Sequence, residues 1–268
     1  MNDYLNLSYG DLALGSAFIF VNAALSVALE LGVHRQILIA AARMVVQLAI
    51  MGLVLTALFA VVSPFWTSLA ALGMVLFAGR EIAARQDKPL GGLWSYGLGT
   101  VCMMVGPMTV TVFALATVLR SDPWYDPRYA IPVLGMILGN AMTGIALGIS
   151  GLVTGLSTRR AAVEAQLMLG ATRRTAMSPV IRQALRSALM PIINSMSVTG
   201  IVSLPGMMTG QILGGAAPGD AVKYQILIMF LIAGGTGIGA VAAVMGGAYR
   251  LTDGRHRLRL DRLGSQDL

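Results

Sequence analysis

Residues 37–62 read ILIAAARMVVQLAIMGLVLTALFAVV, an apolar stretch whose only charge is Arg43. About 20 apolar residues in a helix cross the hydrocarbon core of a bilayer, and no soluble core element needs a longer run. Working outward, six more runs follow the same pattern, at residues 12–29, 65–79, 92–119, 131–156, 188–213 and 222–248. The third is short and is expected to continue to Ala84, past Arg80 and Glu81.

Composition agrees. Of 268 residues, 56% are apolar and 12% charged, against roughly 45–50% and 25% in an average soluble domain. That balance excludes an ordinary soluble globule and a disordered chain. Cys102 is the only cysteine, so no intrachain disulfide framework exists. A transmembrane barrel would show short alternating segments, not long unbroken runs. The expected fold class is therefore all-α, a polytopic membrane protein of seven transmembrane helices. Residues 1–250 are expected to form a single membrane domain that includes a cytoplasmic segment at 157–187. Residues 251–268 are expected to form a basic cytoplasmic tail.

Charge placement sets the expected orientation. Of 19 Lys and Arg, fifteen fall on one set of connections and three on the other, with Arg43 inside a run. The positive-inside rule then puts the N-terminus outside and the C-terminus in the cytoplasm, which requires an odd number of spans. The same distribution explains the formal charge of +7 without nucleic acid. Met1-Asn2-Asp3-Tyr4 lacks the positive charge that opens a cleaved signal peptide.

Missing chemistry narrows the function. No G-x-x-x-x-G-K-[ST] phosphate loop occurs. His34 and His256 are the only histidines, and the twelve acids lie in connections or near run ends. A proton-driven pump or an intramembrane aspartyl protease needs carboxylates near the midplane. The interior of the last run holds no lysine for a retinal-type linkage. No catalytic constellation is available, so the chain is expected not to be an enzyme and to hold no cofactor of its own. Arg43 and Gln47, four residues apart, share one helix face and are either a snorkelling pair or part of a polar pathway or gate.

The longest connection between runs is the most informative. Residues 161–169 read as a short helix carrying Glu164, with Gly170 at its C′ position. Thr172 is an N-cap for a second helix, and Ser178-Pro179 reads as a third start. By itself this is either an interfacial amphipathic element or a docking element for a cytoplasmic partner.

Glu164-Ala165-Gln166-x-x-x-Gly170 resembles the E-A-A-x-x-x-G signature of ABC-transporter permeases, and Leu169-Gly170-Ala171-Thr172-Arg173-Arg174 resembles their cytoplasmic turn. Pro191 comes later after Gly170 than that pattern has it. Longer strings are more specific: IPVLGMILGNAM at 131–142, GIVSLPGMMTG at 200–210 and DAVKYQI at 220–226. With Arg43-x-x-x-Gln47 they resemble the FetB/YbbM family of ABC permeases, which includes a bacterial iron-export permease and plant aluminium-tolerance relatives. The resemblance implies a permease subunit, homodimeric, in the inner (plasma) membrane. It implies a separate cytoplasmic P-loop ATPase that binds the ATP and Mg, and a metal cation, iron, as cargo. It further implies coupling through Glu164, Ala165, Leu169, Gly170, Ala171, Thr172, Arg173 and Arg174. A secondary transporter or channel, or a scaffold that only recruits a partner, are the other classes.

Pro205-Gly206 is expected to interrupt the sixth run, since proline lacks a donor and clashes with the carbonyl of Ile201. Irregular backbone at membrane depth must face protein or a water-filled cavity. Depth counting pairs Met136 with Met208 and Asn140 with Ser203 across the fifth and sixth runs. Met136, Asn140, Ser203, Pro205, Gly206, Met207 and Met208 are therefore the expected substrate pathway. The methionines equally suit gap-filling, and Asn140 suits interhelical hydrogen bonding.

Overall fold

The computed structural model describes residues 8–264 and divides them into two compact units. One holds residues 8–62 with 213–215; the other holds 63–212 and 216–264.

The first unit is a helical hairpin, α1 (Tyr9–Ala28) and α2 (His34–Ala60). Ser8 caps α1 reciprocally: its hydroxyl accepts from the Asp11 amide and the Asp11 carboxylate accepts from the Ser8 amide. Glu30 and Gly32, both at positive φ, turn the chain, and the Ser26 hydroxyl accepts the Val33 amide at 3.1 Å. Phe18, Phe20, Leu48 and Leu53 are exposed on these helices. An apolar surface of that extent has lipid, not water, as its solvent.

The second unit is built on α6 (Pro127–Thr158), started by Asp126 as N-cap with Pro127 at N1. Along one side of α6, α10 (Pro218–Arg250) runs parallel, with Gly235 on Ile137, Gly239 on Ile145 and Gly247 on Leu152. Along another, α8 (Arg173–Val198) runs antiparallel, with Ala188 over Gly144 and Gly148, Ala184 over Gly151 and Val180 over Gly155. Small residues let these backbones approach, which is how helices pack where lipid removes the hydrophobic drive to associate. The α3 helix (Pro64–Ala84) runs parallel to α6; past its end the buried Gln86 amide donates to Ile82 O and Ala146 O. Next, α4 (Trp94–Met103) and α5 (Thr109–Phe113) join through a π-helical stretch at Met104–Met108, and a second such stretch ends at Leu119. The short helices α7 (Arg160–Met168) and α9 (Gly206–Leu213) complete the set. The chain is an all-α polytopic membrane protein; among the described residues only isolated β-bridges interrupt helix and loop.

Among the described residues six helical rods are long and apolar enough to span: α1, α2, α3, Trp94–Leu119, α6 and α10. The expected run at 188–213 is divided differently. Its first part belongs to α8, which begins in the polar connection at Arg173, and its last part is α9. The third start at Ser178-Pro179 does not exist, because α8 passes unbroken through Pro179 and Pro191. An interior proline costs about 3 kcal/mol, and the buried contacts of Val180, Ala184 and Ala188 against α6 offset it.

The basic tail folds back on the unit. Leu263 forms a bridge with Leu90, and the Gly91 and Gly264 amides donate to Arg262 O and Pro89 O at 2.7 Å each. Asp261 accepts from Arg259 at 2.7 Å, and that bond holds its carboxyl down at about 2. Residues 265–268 lie outside the described residues.

Candidate functional site: a capped turn and a cavity at the two ends of one helix

At the end of α7 the Gly170 amide donates to Leu167 O and the Ala171 amide to Gln166 O, both near 3.0 Å, with Gly170 at φ +88. This is a Schellman closure with glycine where a left-handed residue is required. Two residues on, the Thr172 hydroxyl accepts from the Thr175 amide and starts α8. Both ends of the turn are thus set by residues that the sequence singled out.

The turn presents a defined surface. Val163 is buried with Leu156, Ala176 and Met177, which fixes α7 against α6 and α8. At the tip, Met168 and Leu169 are 83% and 87% exposed. Sequence reasoning found Leu169 but not Met168, although the two adjoin. Glu164 bonds Arg160 within its own helix at 2.8 Å, and Ala165 and Arg174 face outward. Arg173 turns inward, with its guanidinium 5.5 Å from the Tyr249 ring and its amide donating to His256 Nδ1.

The other end of α8 forms the second feature. The helix stops at Val198, seven residues before Pro205, so the proline's clash is avoided rather than absorbed. The Val198 carbonyl accepts the Val202 and Ser203 amides, Gly200 turns at φ +91, and α9 begins at Gly206. Between this break and α10 lies a cavity of about 480 Å³. Thr199, Gly200, Pro205 and Met208 line one wall and Gln225 and Met229 the other. Gln225 is 5% exposed, and its Oε1 has no protein partner.

The expected pathway residues separate here. Pro205 and Met208 line the cavity. Met136 and Met207 pack instead against the apolar cluster around Ile137 and Ile228. Ser203 lies in the break, where its carbonyl accepts the Gly200 amide at 2.9 Å, and it is not among the lining residues. Asn140 lies one turn before the contact of Gly144 with Ala188 of α8. Its amide donates to Met136 O at 2.9 Å within its own helix. Gln225 was missed; its signal was a lone amide inside an apolar run. Arg43 and Gln47 lie one turn apart on α2, in the first unit. Among the described residues no three His, Cys, Asp or Glu side chains gather to hold a metal.

Comparison with known proteins agrees with the family resemblance read from the sequence. Residues 9–252 match the model described as "Uncharacterised protein family (UPF0014)". The chain is 36% identical to the UPF0014 membrane protein STAR2 of Oryza sativa subsp. japonica, over 89% of this chain and 84% of that one. It is 33% identical to Protein ALUMINUM SENSITIVE 3 of Arabidopsis thaliana, over 82% and 78%. It is 30% identical to the probable iron export permease protein FetB of Escherichia coli strain K12, over 98% and 99%. No solved structure matches. Across almost its whole described length, therefore, the chain belongs to the UPF0014 family of membrane proteins.

Proposed function

We propose that the chain is the membrane permease subunit of an ATP-driven exporter of a metal cation, iron, in a bacterial-type inner membrane. ATP is hydrolysed by a separate cytoplasmic P-loop ATPase, and two copies of the chain pair with it. The observation that carries this reading is the unbroken course of α8. One helix of 26 residues, about 39 Å long, joins the exposed Met168-Leu169 turn to the wall of the cavity. A rigid rod with an apolar tip at one end and a break beside a cavity at the other is a lever. The antiparallel sense of α8 relative to α6 and α10 lets α8 with α9 supply a crossing beside the six long rods. The near-full-length similarity to a probable iron export permease supports the cargo. An exporter needs weak, exchangeable ligands, and backbone oxygens, one amide and thioethers provide them without a carboxylate cage.

Two experiments test this. In inverted vesicles supplied with ATP and an iron salt, Gln225→Leu is expected to slow uptake about tenfold, the worth of one hydrogen bond near 1.4 kcal/mol. Asn140→Leu and Met207→Leu, which lie off the cavity, are expected to stay within about twofold, since neither removes a cavity ligand. Equal losses at all three, or none at Gln225, overturn the cavity as the cargo site. Topology is checked by single cysteines. Impermeant maleimide is expected to label Asp126→Cys from outside and Arg257→Cys only after permeabilisation. The native Cys102 is buried and stays silent. The reverse labelling pattern refutes the orientation.

A further inference from the structure

A second cavity, of about 340 Å³, lies at the opposite end of α8 from the first. Three arginines line it, from three different elements: Arg173 from the first turn of α8, Arg250 from the end of α10 and Arg262 from the folded-back tail. Each is held in place by something other than a carboxylate. Arg173 stacks on Tyr249, Arg250 lies 4.8 Å over the Trp94 ring, and Arg262 Nη1 donates to Arg250 O at 2.8 Å. The buried Arg250 Nε has no partner. The ion pairs Arg160–Glu164, Asp220–Lys223 and Arg259–Asp261 leave these three arginines out. Asp253 is the one acid in the lining, and its carboxylate already accepts the Arg255 and Arg257 amides.

Three guanidiniums against one carboxylate leave a net charge of about +2 around a concave space. Like charges are not gathered and fixed on aromatic rings without cost, and an anion relieves it. Guanidinium forks match the oxygens of a phosphate group in particular. We propose that this cavity binds a phosphate group, carried either by an anionic lipid headgroup or by a soluble phosphate compound. The site sits where α4 and α8 begin and α10 ends, the level at which headgroups meet a membrane protein. Occupancy ties Arg173 of the coupling turn to the tail through the anion.

The test uses the full-length protein, delipidated in detergent. Native mass spectrometry counts bound phosphatidylglycerol against phosphatidylcholine, and inorganic pyrophosphate is titrated separately by thermal shift. Arg250→Gln removes a side chain whose guanidinium makes no hydrogen bond in the fold, so folding is expected to survive. Gly254→Glu sets a carboxylate beside the cavity at a glycine with open space around it, and provides a second, sterically neutral variant. Phosphatidylglycerol retention that falls at least fivefold in both variants, with no pyrophosphate effect, identifies the lipid source. A pyrophosphate-induced stabilisation lost in both variants, without lipid selectivity, identifies a soluble source. Both responses together support the phosphate site for either source. Binding by neither probe, or binding unchanged in either folded variant, overturns the proposal.

Discussion

Changing Met168 and Leu169 together to aspartate is expected to abolish stable association with the ATPase subunit while the helical fold persists. Both side chains are more than four-fifths exposed, so the isolated chain loses no packing when they become polar. In the complex they would be the apolar knobs at the tip of the lever. Burying a large aliphatic side chain is worth about 1.5–3 kcal/mol, so two contribute about 3–6 kcal/mol. At 1.4 kcal/mol per decade the loss in affinity is about 100-fold or more, before the cost of desolvating two carboxylates. Copurification of a P-loop ATPase with the tagged chain reads the result. Recovery within threefold of the unmodified chain would show that the partner docks elsewhere. Gly170→Val is a companion variant acting through the backbone. At φ +88 a β-branched residue is strained, by about 1–2 kcal/mol or more, so the tip is misaimed rather than made polar. That variant is expected to bind the ATPase weakly or to leave the ATPase hydrolysing ATP without transport. Full coupled activity in Gly170→Val removes the turn from the mechanism.

What was legible in the sequence was what short-range chemistry controls. Apolar runs gave the rods, because lipid demands length and intrasegment hydrogen bonding. Gly170 and Thr172 gave the turn, because a left-handed C′ position and an N-cap hydroxyl are local requirements. The course of α8 was not legible at Pro179. A proline reads as a boundary in one dimension, and only the glycine-lined groove of α6 shows what holds the helix together through it. Likewise Pro205 announced a break, but the helix ends at Val198, since the chain turns at Gly200 before the proline ring is reached. Depth counting placed the interruption at Pro205-Gly206, whereas the helix already ends at Val198 and Ser203 belongs to the turn that follows. Met207 and Met208 are neighbours in sequence yet face different surroundings, one an apolar cluster and the other the cavity. Gln225 and the tail depend on contacts with residues far away in the chain, which periodicity does not encode.

Gly106→Ala is expected to be the most disruptive single methyl in the second unit. A Cβ built there would stand 2.6 Å from Gly239 N, 2.7 Å from Gly235 O and 2.9 Å from Gly239 Cα. All three atoms are backbone, so no side chain can rotate away. The π-helical stretch at Met104–Met108 carries Pro107 inside it, and Pro107 itself packs on Gly235 and Gly239. Gly235-x-x-x-Gly239 is the small-residue spacing that lets two membrane helices touch through their backbones. An alanine at 106 must therefore part the α4–α5 rod from α10 along the whole contact. Overpacking costs typically 1–3 kcal/mol even where neighbours can adjust, and here they cannot, so about 3 kcal/mol or more is expected. At roughly 2–4 °C per kcal/mol the melting temperature in detergent falls by about 6–12 °C. Gly139→Ala is the matched control. It is also inside a long helix, but nothing lies within 4 Å of the added methyl. Replacing a helical glycine by alanine there is expected to stabilise by about 0.5–1 kcal/mol. Equal melting temperatures for the two variants would mean that α10 does not rest on Gly106, and the position of the cavity wall that α10 carries would fall with it.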